Sequence, residues 1–485
     1  MPDWSVILTV TLLVIDYGIR VLAVVIVPKN RRPQTATAWL LAIFLLPVPG
    51  LLLFLLFGSR WLPKRRREQQ SEINKYILET TEGIDEVGQD HPWPPWLESI
   101  VDLNRRLGAM PLVGSNHAEL FSDYQASLDA MVAEVGRSKR YVHAEFYILS
   151  LDDTTRPFFD AMADAVKRGV TVRVLLDHVA SFRSPGYRRT IRHLDAIGVQ
   201  WQLMLPLQPF RGRFQRPDLR NHRKLLVVDG EVAYTGSQNM IDRSYNKRGN
   251  RRRGLQWSDL MVRFEGPIVA GVNALFVTDW YSETDELLLR ETEDTPRPEA
   301  TTTLDAQVVP SGPGFDGENN LRLFNSLLYA AHDRILITSP YFVPDESMLY
   351  AITTAAQKGV EVELFVSEIG DQPLVFHAQR SYYEELLRAG VRIWLHEAPT
   401  VLHTKFFTID DQVAVVGSSN MDMRSFSLNL EISVMVRGHG FASSLADIAS
   451  GYRSRSRELT LAEWEARPFG AKVFDTVARL TAAVQ

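Results

Sequence analysis

The segment from Asn221 to Asn239, NHRKLLVVDGEVAYTGSQN, recurs as Leu402 to Asn420, LHTKFFTIDDQVAVVGSSN. Each copy carries a His, a Lys two residues on, an Asp five residues after the Lys, and a closing Gly-Ser-x-Asn. The offset between copies is identical at His222/His403 and at Gly236/Gly417. Two further pairs keep the same order at nearly the same offset. AVKRGVTVRVLL (Ala165 to Leu176) matches AAQKGVEVELFV (Ala355 to Val366), aligned at Gly169/Gly359. LDAIGVQWQLM (Leu194 to Met204) matches LLRAGVRIWLH (Leu386 to His396), aligned at Gly198/Gly390. A chain duplicated in this order must fold as two homologous halves. Each half reads as helix, C′ glycine and alternating strand in turn, which predicts an α/β fold with mixed sheets, the halves packed about a pseudo-twofold axis.

The repeats place the boundaries. Residues 1–67 form a membrane anchor whose two hydrophobic segments are expected to be two N-terminal membrane helices, a multi-pass arrangement, and 68–118 form a linker or lead-in. The first half spans 119–289, a polar, Pro-containing linker 290–303, and the second half 304–485. The first half is longer between its Gly-Val strand and its motif, in LPLQPFRGRFQRPDLRN (Leu205 to Asn221), with Arg211, Arg213, Arg216 and Arg220. A second basic run covers Arg243 to Gly254. Both read either as solvated loops or as a cationic rim for a phosphate-bearing substrate.

The first segment, Trp4 to Val27, is apolar apart from Asp16 and Arg20, an i,i+4 pair, and is long enough to cross about 30 Å of hydrocarbon. A cleaved signal peptide fits poorly, because the run is too long, lacks a basic lead and is followed by a second. That second run, Trp39 to Phe57, contains Pro47-Val48-Pro49-Gly50. Those residues break a straight helix and predict a kinked span or a re-entrant hairpin. Five cationic residues follow the second run against three between the runs, which favours a cytoplasmic catalytic region at the cell membrane. The net charge is −5, so global charge does not argue for nucleic acid, and the two membrane segments speak against a nuclease. With no cysteine, thiolate metal sites and a cysteine nucleophile are excluded.

In a strand, residues i and i+2 face one side, so His222 projects with Lys224 and His403 with Lys405. Asp229-Gly230 and Asp410-Asp411 read as hairpin turns. Both Asp residues have odd spacing from their His, which points them toward stabilising the hairpins. Ser237, Asn239, Ser418 and Asn420 add small neutral donors at the same edge. If the two edges meet, the pooled set suits a phosphodiester. Cations and amides bind the non-bridging oxygens, one His attacks phosphorus, and the other handles the leaving and entering alcohols. A lysine within each motif opposes a bound metal cation, so no metal and no other cofactor is expected.

The doubled His-x-Lys-x4-Asp with Gly-Ser-x-Asn resembles the paired motifs of the phospholipase D superfamily. With the two apolar segments, SPYFVPDE (Ser339 to Glu346) and GSSNMDMRSFSLNLE (Gly417 to Glu431), the chain is similar to bacterial cardiolipin synthases. The resemblance implies a phosphatidyltransferase that joins two phosphatidylglycerols into cardiolipin and glycerol through a phosphatidyl-histidine. It implies His222, Lys224 and Asp229 with His403, Lys405 and Asp410 as the catalytic set, His222 the nucleophile and His403 the acid/base. It also implies a carboxylate behind each His: Asp259 for the first half and Glu431 for the second. Phosphatidylglycerol and anionic membrane lipids are then the partners. A phospholipase D, a transferase on another headgroup, and a lipid-binding protein with a dead site are the alternatives.

Overall fold

The computed structural model describes residues 4–29, 31, 33–58, 62–82, 94–211, 213–288, 304–315 and 317–480. It divides into two compact units, Met1–Trp61 and Leu62–Gln485.

In the first unit, helix Trp4–Ile26 is, among the described residues, the one helix long and apolar enough to cross a membrane. The second apolar run departs from a single span. It forms two short helices, Pro33–Leu45 and Pro47–Phe57, parted at Leu46. Pro47 starts the second helix, where its missing N–H costs nothing. The two helices fold back on each other. Trp39 meets Phe54 edge-on at 5.5 Å, and a Cβ on Gly50 would lie 2.6 Å from Ala42 O. Arg31 closes the base through Gly58 O. At 13 and 11 residues the arms are about 20 Å and about 16 Å long, too short to span hydrocarbon. The expectation of two membrane-spanning helices is therefore corrected to one spanning-length helix and a hairpin.

The second unit is built on one continuous sheet. Its first repeat supplies β1 (Leu112–Phe121), β2 (Tyr141–Phe146), β3 (Thr171–Asp177), β4 (Gln200–Met204), β5 (Lys224–Val228), β6 (Val232–Gly236) and β7 (Met261–Glu265). The second supplies β8 (Leu304–Ser311), β9 (Arg334–Thr338), β10 (Glu361–Ser367), β11 (Arg392–His396), β12 (Phe406–Ile409), β13 (Val413–Gly417) and β14 (Asn429–Arg437), with β15 (Ser456–Leu459) at the edge. The order is β15-β11-β10-β9-β12-β13-β14-β8-β1-β7-β6-β5-β2-β3-β4. The two repeats thus run outward in the same order from a central antiparallel pair, β1 with β8. Within each repeat, the pairings β2/β3, β3/β4, β9/β10 and β10/β11 are parallel and the rest antiparallel, as a mixed sheet requires. The halves are joined edge to edge through their first strands, and their sheets merge.

The segment 68–118 contains most of helix Lys64–Thr80, helix Pro95–Gly108 and the start of β1. Leu97, Ile100 and Val101 are buried in one core with Phe324, Leu327 and Leu328 of the second repeat. Strand β1 starts at Leu112 and runs across the 119 boundary into the first repeat. The linker 290–303 lies outside the described residues.

Candidate active site

Local sequence builds each motif the same way. Asp229 and Gly230 both have positive φ, as do Asp410 and Asp411, and Glu231 N and Gln412 N close the turns onto Val228 O and Ile409 O. This is the primed turn that matches strand twist. Asp229 accepts hydrogen bonds from the backbone N–H groups of Lys139, Arg140 and Tyr141 at 2.7–2.9 Å. Asp410 does the same for His332, Asp333 and Arg334 at 2.8–2.9 Å. Both Asp residues therefore tie the hairpin to the start of β2 or β9, and neither touches the reacting groups.

The glycine opening each Gly-Ser-x-Asn has a steric cause. A Cβ at Gly236 would lie 2.2 Å from Leu260 O, and one at Gly417 would lie 2.2 Å from Ile432 O. The neighbouring strand passes too close for any other residue. That approach lets Ser237 Oγ donate to Asp259 Oδ1 at 2.7 Å and Ser418 Oγ donate to Glu431 Oε2. The two serines, expected to bind substrate, are instead spent on the two carboxylates.

Those carboxylates serve the histidines across the repeats. Residues Arg220–Asn221 pair in parallel with Asn429–Leu430, and Gln256–Ser258 pair in parallel with Thr400–Leu402. One step beyond each ladder, His222 Nδ1 lies 3.0 Å from both oxygens of Glu431, and His403 Nδ1 lies 2.6 Å from Asp259 Oδ1. The pairing of each His with the carboxylate of its own half is thereby overturned: the halves exchange carboxylates. The cause lies in the backbone. His222 N donates to Leu430 O and His403 N donates to Ser258 O, both at 2.8 Å, so each His sits in the partner repeat's register. His222 and His403 precede their strands, which start at Lys224 and Phe406. The N–H groups just before each His are also held: Asn221 N donates to Asp177, and Leu402 N to Ser367 Oγ at 2.7 Å.

Lys224 Nζ donates to His222 O at 2.5 Å, and Lys405 Nζ donates to His403 O at 2.7 Å. Each ammonium keeps two further donors. Asn239 is occupied, accepting from Ile148 N and donating to the Tyr245 hydroxyl at 2.8 Å. Asn420 is buried, and its Oδ1 has no hydrogen-bond partner among the described residues. Of the basic runs, Arg220 is buried beside Asp177 and Arg216 pairs with Asp218, while Arg213, Arg248, Arg252 and Arg253 are exposed. Among the described residues no three His, Asp or Glu side chains converge to hold a metal ion.

The two halves differ electrostatically. Burial, then the ammoniums of Lys224 and Lys405, hold the His222 imidazole well below its ordinary range. Burial and Lys405 lower His403 too, but Asp259 opposes them. Burial pushes the Asp259 carboxyl up, yet the charge and hydrogen bond of His403 outweigh it and hold Asp259 below the usual carboxylate range. Burial raises Glu431 to about 7, against the pull of Lys224 and Ser418. His403 thus faces a firm anion, whereas His222 faces a carboxyl poised to titrate. Asp259 and Glu431, each bonded to the serine of its own half and to the His of the other, bring both imidazoles to the seam between the halves.

Three tyrosines complete the surroundings. Tyr147 meets His222 edge-on at 4.8 Å, and its ring faces Lys224 Nζ at 5.2 Å. Tyr341 and Tyr245 stand 6.3 and 6.4 Å from His403. Sequence reasoning passed over them, and strand register sets Tyr341 level with Ile148, not with Tyr147, so the repeat does not pair these tyrosines.

Comparison with known proteins agrees with this architecture. The family model described as Cardiolipin synthase, PLD-like domain, matches residues 131–260 and again 324–451. One described as Phospholipase_D-nuclease N-terminal matches 19–59. Cardiolipin synthase A of Proteus mirabilis (strain HI4320) is 35% identical over 459 residues, 92% of each chain. Cardiolipin synthase A of Serratia proteamaculans (strain 568) is 34% identical over 485 residues, 98% of this chain and 96% of that one. The crystal structure of phosphatidylserine synthase from Haemophilus influenzae Rd KW20 superposes with a TM-score of 0.59 at 13% identity, over 81% of this chain and 100% of the other, a likeness of fold. With both repeats matched and relatives a third identical along nearly the whole length, the chain belongs to the cardiolipin synthase family of phospholipase D-like proteins.

Proposed function

We propose that the protein is a cardiolipin synthase, a phosphatidyltransferase that converts two phosphatidylglycerols into cardiolipin and glycerol. The observation that carries the mechanism is the crossed pairing of His222 with Glu431 and of His403 with Asp259, in unlike electrostatic states. A nucleophile must be neutral, and His222 is the imidazole held furthest from protonation. Its Nε2 attacks phosphorus, while Glu431 fixes Nδ1 as the other ring position. The P–N bond forms as the P–O bond to glycerol breaks. His403, whose protonated form Asp259 supports against burial and Lys405, gives its proton to the departing alkoxide. The second phosphatidylglycerol then enters. His403 takes its hydroxyl proton, the new P–O bond forms, and the P–N bond breaks. Energy of the diester is kept throughout, so no nucleotide is needed. The ammoniums of Lys224 and Lys405 meet the non-bridging oxygens, whose charge grows in the transition state. Helix Trp4–Ile26 anchors the chain in the cell membrane with the catalytic unit cytoplasmic, consistent with the flanking cations.

Purified protein given phosphatidylglycerol alone, with chelator and no nucleotide, should yield cardiolipin and glycerol by mass spectrometry, and His222→Ala should yield neither. Phosphatidic acid in their place would mean that water takes the acceptor's role and the protein is a phospholipase D.

A further inference from the structure

We propose that the catalytic unit docks on an anionic lipid surface through two apolar patches, one from each repeat, that flank the pooled site. The inference rests on the membrane-lipid substrate proposed above.

The second-repeat patch is a helix turned inside out. Helix Phe469–Arg479 buries a charge: Asp475 accepts from His377 Nδ1 at 2.7 Å, Arg380 Nε at 3.4 Å and Arg467 at 2.5 Å. Its outer side carries Phe469, Val473, Phe474 and Val477, followed by Leu480, with Phe469 at 82% and Leu480 at 83% exposure and Phe474 half-exposed, edge-on to the His377 ring at 4.5 Å. Spacings of four, five, eight and eleven residues put them on one face. A helix packed on a water-soluble body shows the reverse polarity. An apolar face directed outward, on a helix held from behind by ions, is suited to the headgroup–acyl boundary of a bilayer.

The first-repeat patch is made of Phe182, at the end of helix His178–Arg183, with Phe210 and Phe214 on the short hairpin Leu207–Gln208/Arg213–Phe214. Phe210 is wholly exposed. This hairpin belongs to the length the second repeat lacks.

The two patches occupy equivalent places. Helix His178–Arg183 follows β3, and helix Pro373–Arg380, on which the inside-out helix sits, follows its counterpart β10. Each of these two helices is linked to a catalytic His through a short chain of contacts. Asp177 caps helix His178–Arg183 and also accepts from Asn221 N, the residue before His222. Tyr341, beside His403, donates its hydroxyl to Asp371, two residues before helix Pro373–Arg380. The pseudo-twofold relation therefore sets one patch on either side of the site.

Charge selects the occupant. Residues 178–189 contain Arg183, Arg188 and Arg189 and no Asp or Glu. Residues 205–216 contain Arg211, Arg213 and Arg216 and again no acid. On the inside-out helix Lys472 donates to Glu465 O and Arg479 lies over the Tyr382 ring beside Glu385, so its cations stand behind the apolar face and that patch contributes hydrophobic area alone. The aromatic side chains of the first-repeat patch, set among arginines, fit phosphate headgroups above acyl chains and oppose a second copy of the same face.

The chain has no cysteine, so single cysteines report one place each. Full-length Phe210→Cys, Phe469→Cys and Glu231→Cys proteins, labelled with an environment-sensitive fluorophore, are reconstituted in phosphatidylglycerol-containing vesicles. Glu231 sits at the turn remote from His222 and is the control. The expected result is blue-shifted emission, quenched by acyl-chain spin-labelled lipid, at 210 and 469 and not at 231. Water-like emission at either 210 or 469 overturns the proposal, as does a blue shift that lipid quenchers do not reach, which would mean a protein partner. Phe469→Ser should also lower turnover of bilayer phosphatidylglycerol roughly tenfold while leaving dispersed short-chain phosphatidylglycerol unchanged. Equal loss on both substrates counts against docking. The wild type is assayed in the same vesicles. Quenching without cardiolipin would refute the reaction and not the docking; cardiolipin without quenching would refute the docking alone.

Discussion

His222 Nδ1 stands 3.0 Å from both oxygens of Glu431, a residue of the other repeat, and His403 is held by Asp259 in the reciprocal sense. Neither repeat holds a complete histidine–carboxylate pair by itself. The duplication can therefore lose its internal symmetry, one His serving as nucleophile and the other as acid/base, because each is tuned from outside its own repeat.

The division of labour has a kinetic signature. A phosphatidyl ester with a nitrophenol leaving group needs no proton on departure. His403→Ala should still release one equivalent of nitrophenol in a burst and then stall with lipid phosphorus on His222. His222→Ala should show no burst. A burst in His222→Ala with label on His403 would reverse the assignment.

Removing the positioning carboxylates should hurt without moving the rings. Glu431→Gln and Asp259→Asn each leave a hydrogen-bonding group in place but not the anion, and each should lower kcat by roughly 10²-fold to 10⁴-fold. Asp259→Asn should also slow resolution of the covalent intermediate, since His403 is the group that deprotonates the second alcohol. Quench-flow separation of the two steps checks this.

Stability should move the other way at Glu431. Its carboxyl titrates near 7 in the folded protein against 4.5 as the ordinary value. A carboxyl raised on folding supports the native state fully below about 4.5 and loses that support as pH rises through 7. Glu431→Gln should thus be more stable than the wild type at pH 8 by up to about 3 kcal/mol, and the advantage should fade as pH falls toward 4.5. Urea unfolding at several pH values reads this directly.

Activity should be bell-shaped in pH. Below about 7 Glu431 gains a proton and ceases to orient His222 as an anion. Above about 8 Lys405, whose ammonium is destabilised by burial, loses the charge that neutralises the phosphoryl oxygens. Lys405→Arg should push the alkaline limb of kcat/KM upward at reduced rate. An unshifted limb would assign it to another group.

Asp229 is a stability residue. Its carboxylate satisfies three backbone donors and its backbone lies at φ 55°. Asp229→Ala should cost about 3 kcal/mol, with Asp229→Asn recovering much of it because Asn tolerates that backbone and still accepts. Residual folded protein should turn over normally, as active-site titration per folded molecule would establish.

The hairpin of the first unit predicts its topology. Arg31 and Gly58 are bonded at its base, so both ends emerge on one side. Cysteines at Lys29 and Gly58 should react together with an impermeant maleimide added to one face of sealed vesicles. Labelling from opposite faces would restore two full spans.

The duplication, the α/β character and the doubled His-x-Lys motif are legible in the chain alone. His222, Lys224, His403 and Lys405 were identifiable because repetition at matched spacing is visible without coordinates, whereas Asp259 and Glu431, at unequal distances from their motifs, came from the family resemblance alone. The tight Asp turns and the break at Pro47 were legible because they are local backbone preferences. Tertiary structure alone decided which carboxylate serves which His. That pairing depends on two parallel ladders between repeats, and their register has no trace in residue spacing. The same holds for Ser237 and Ser418, whose hydroxyls turn to carboxylates brought in by the neighbouring strand. It holds for helix Pro95–Gly108, whose cover comes from the second repeat, far along the chain. It holds also for the inside-out helix Phe469–Arg479. Its sequence is amphipathic either way, and only the position of Arg380, Arg467 and His377 around Asp475 determines which face is turned to the outside.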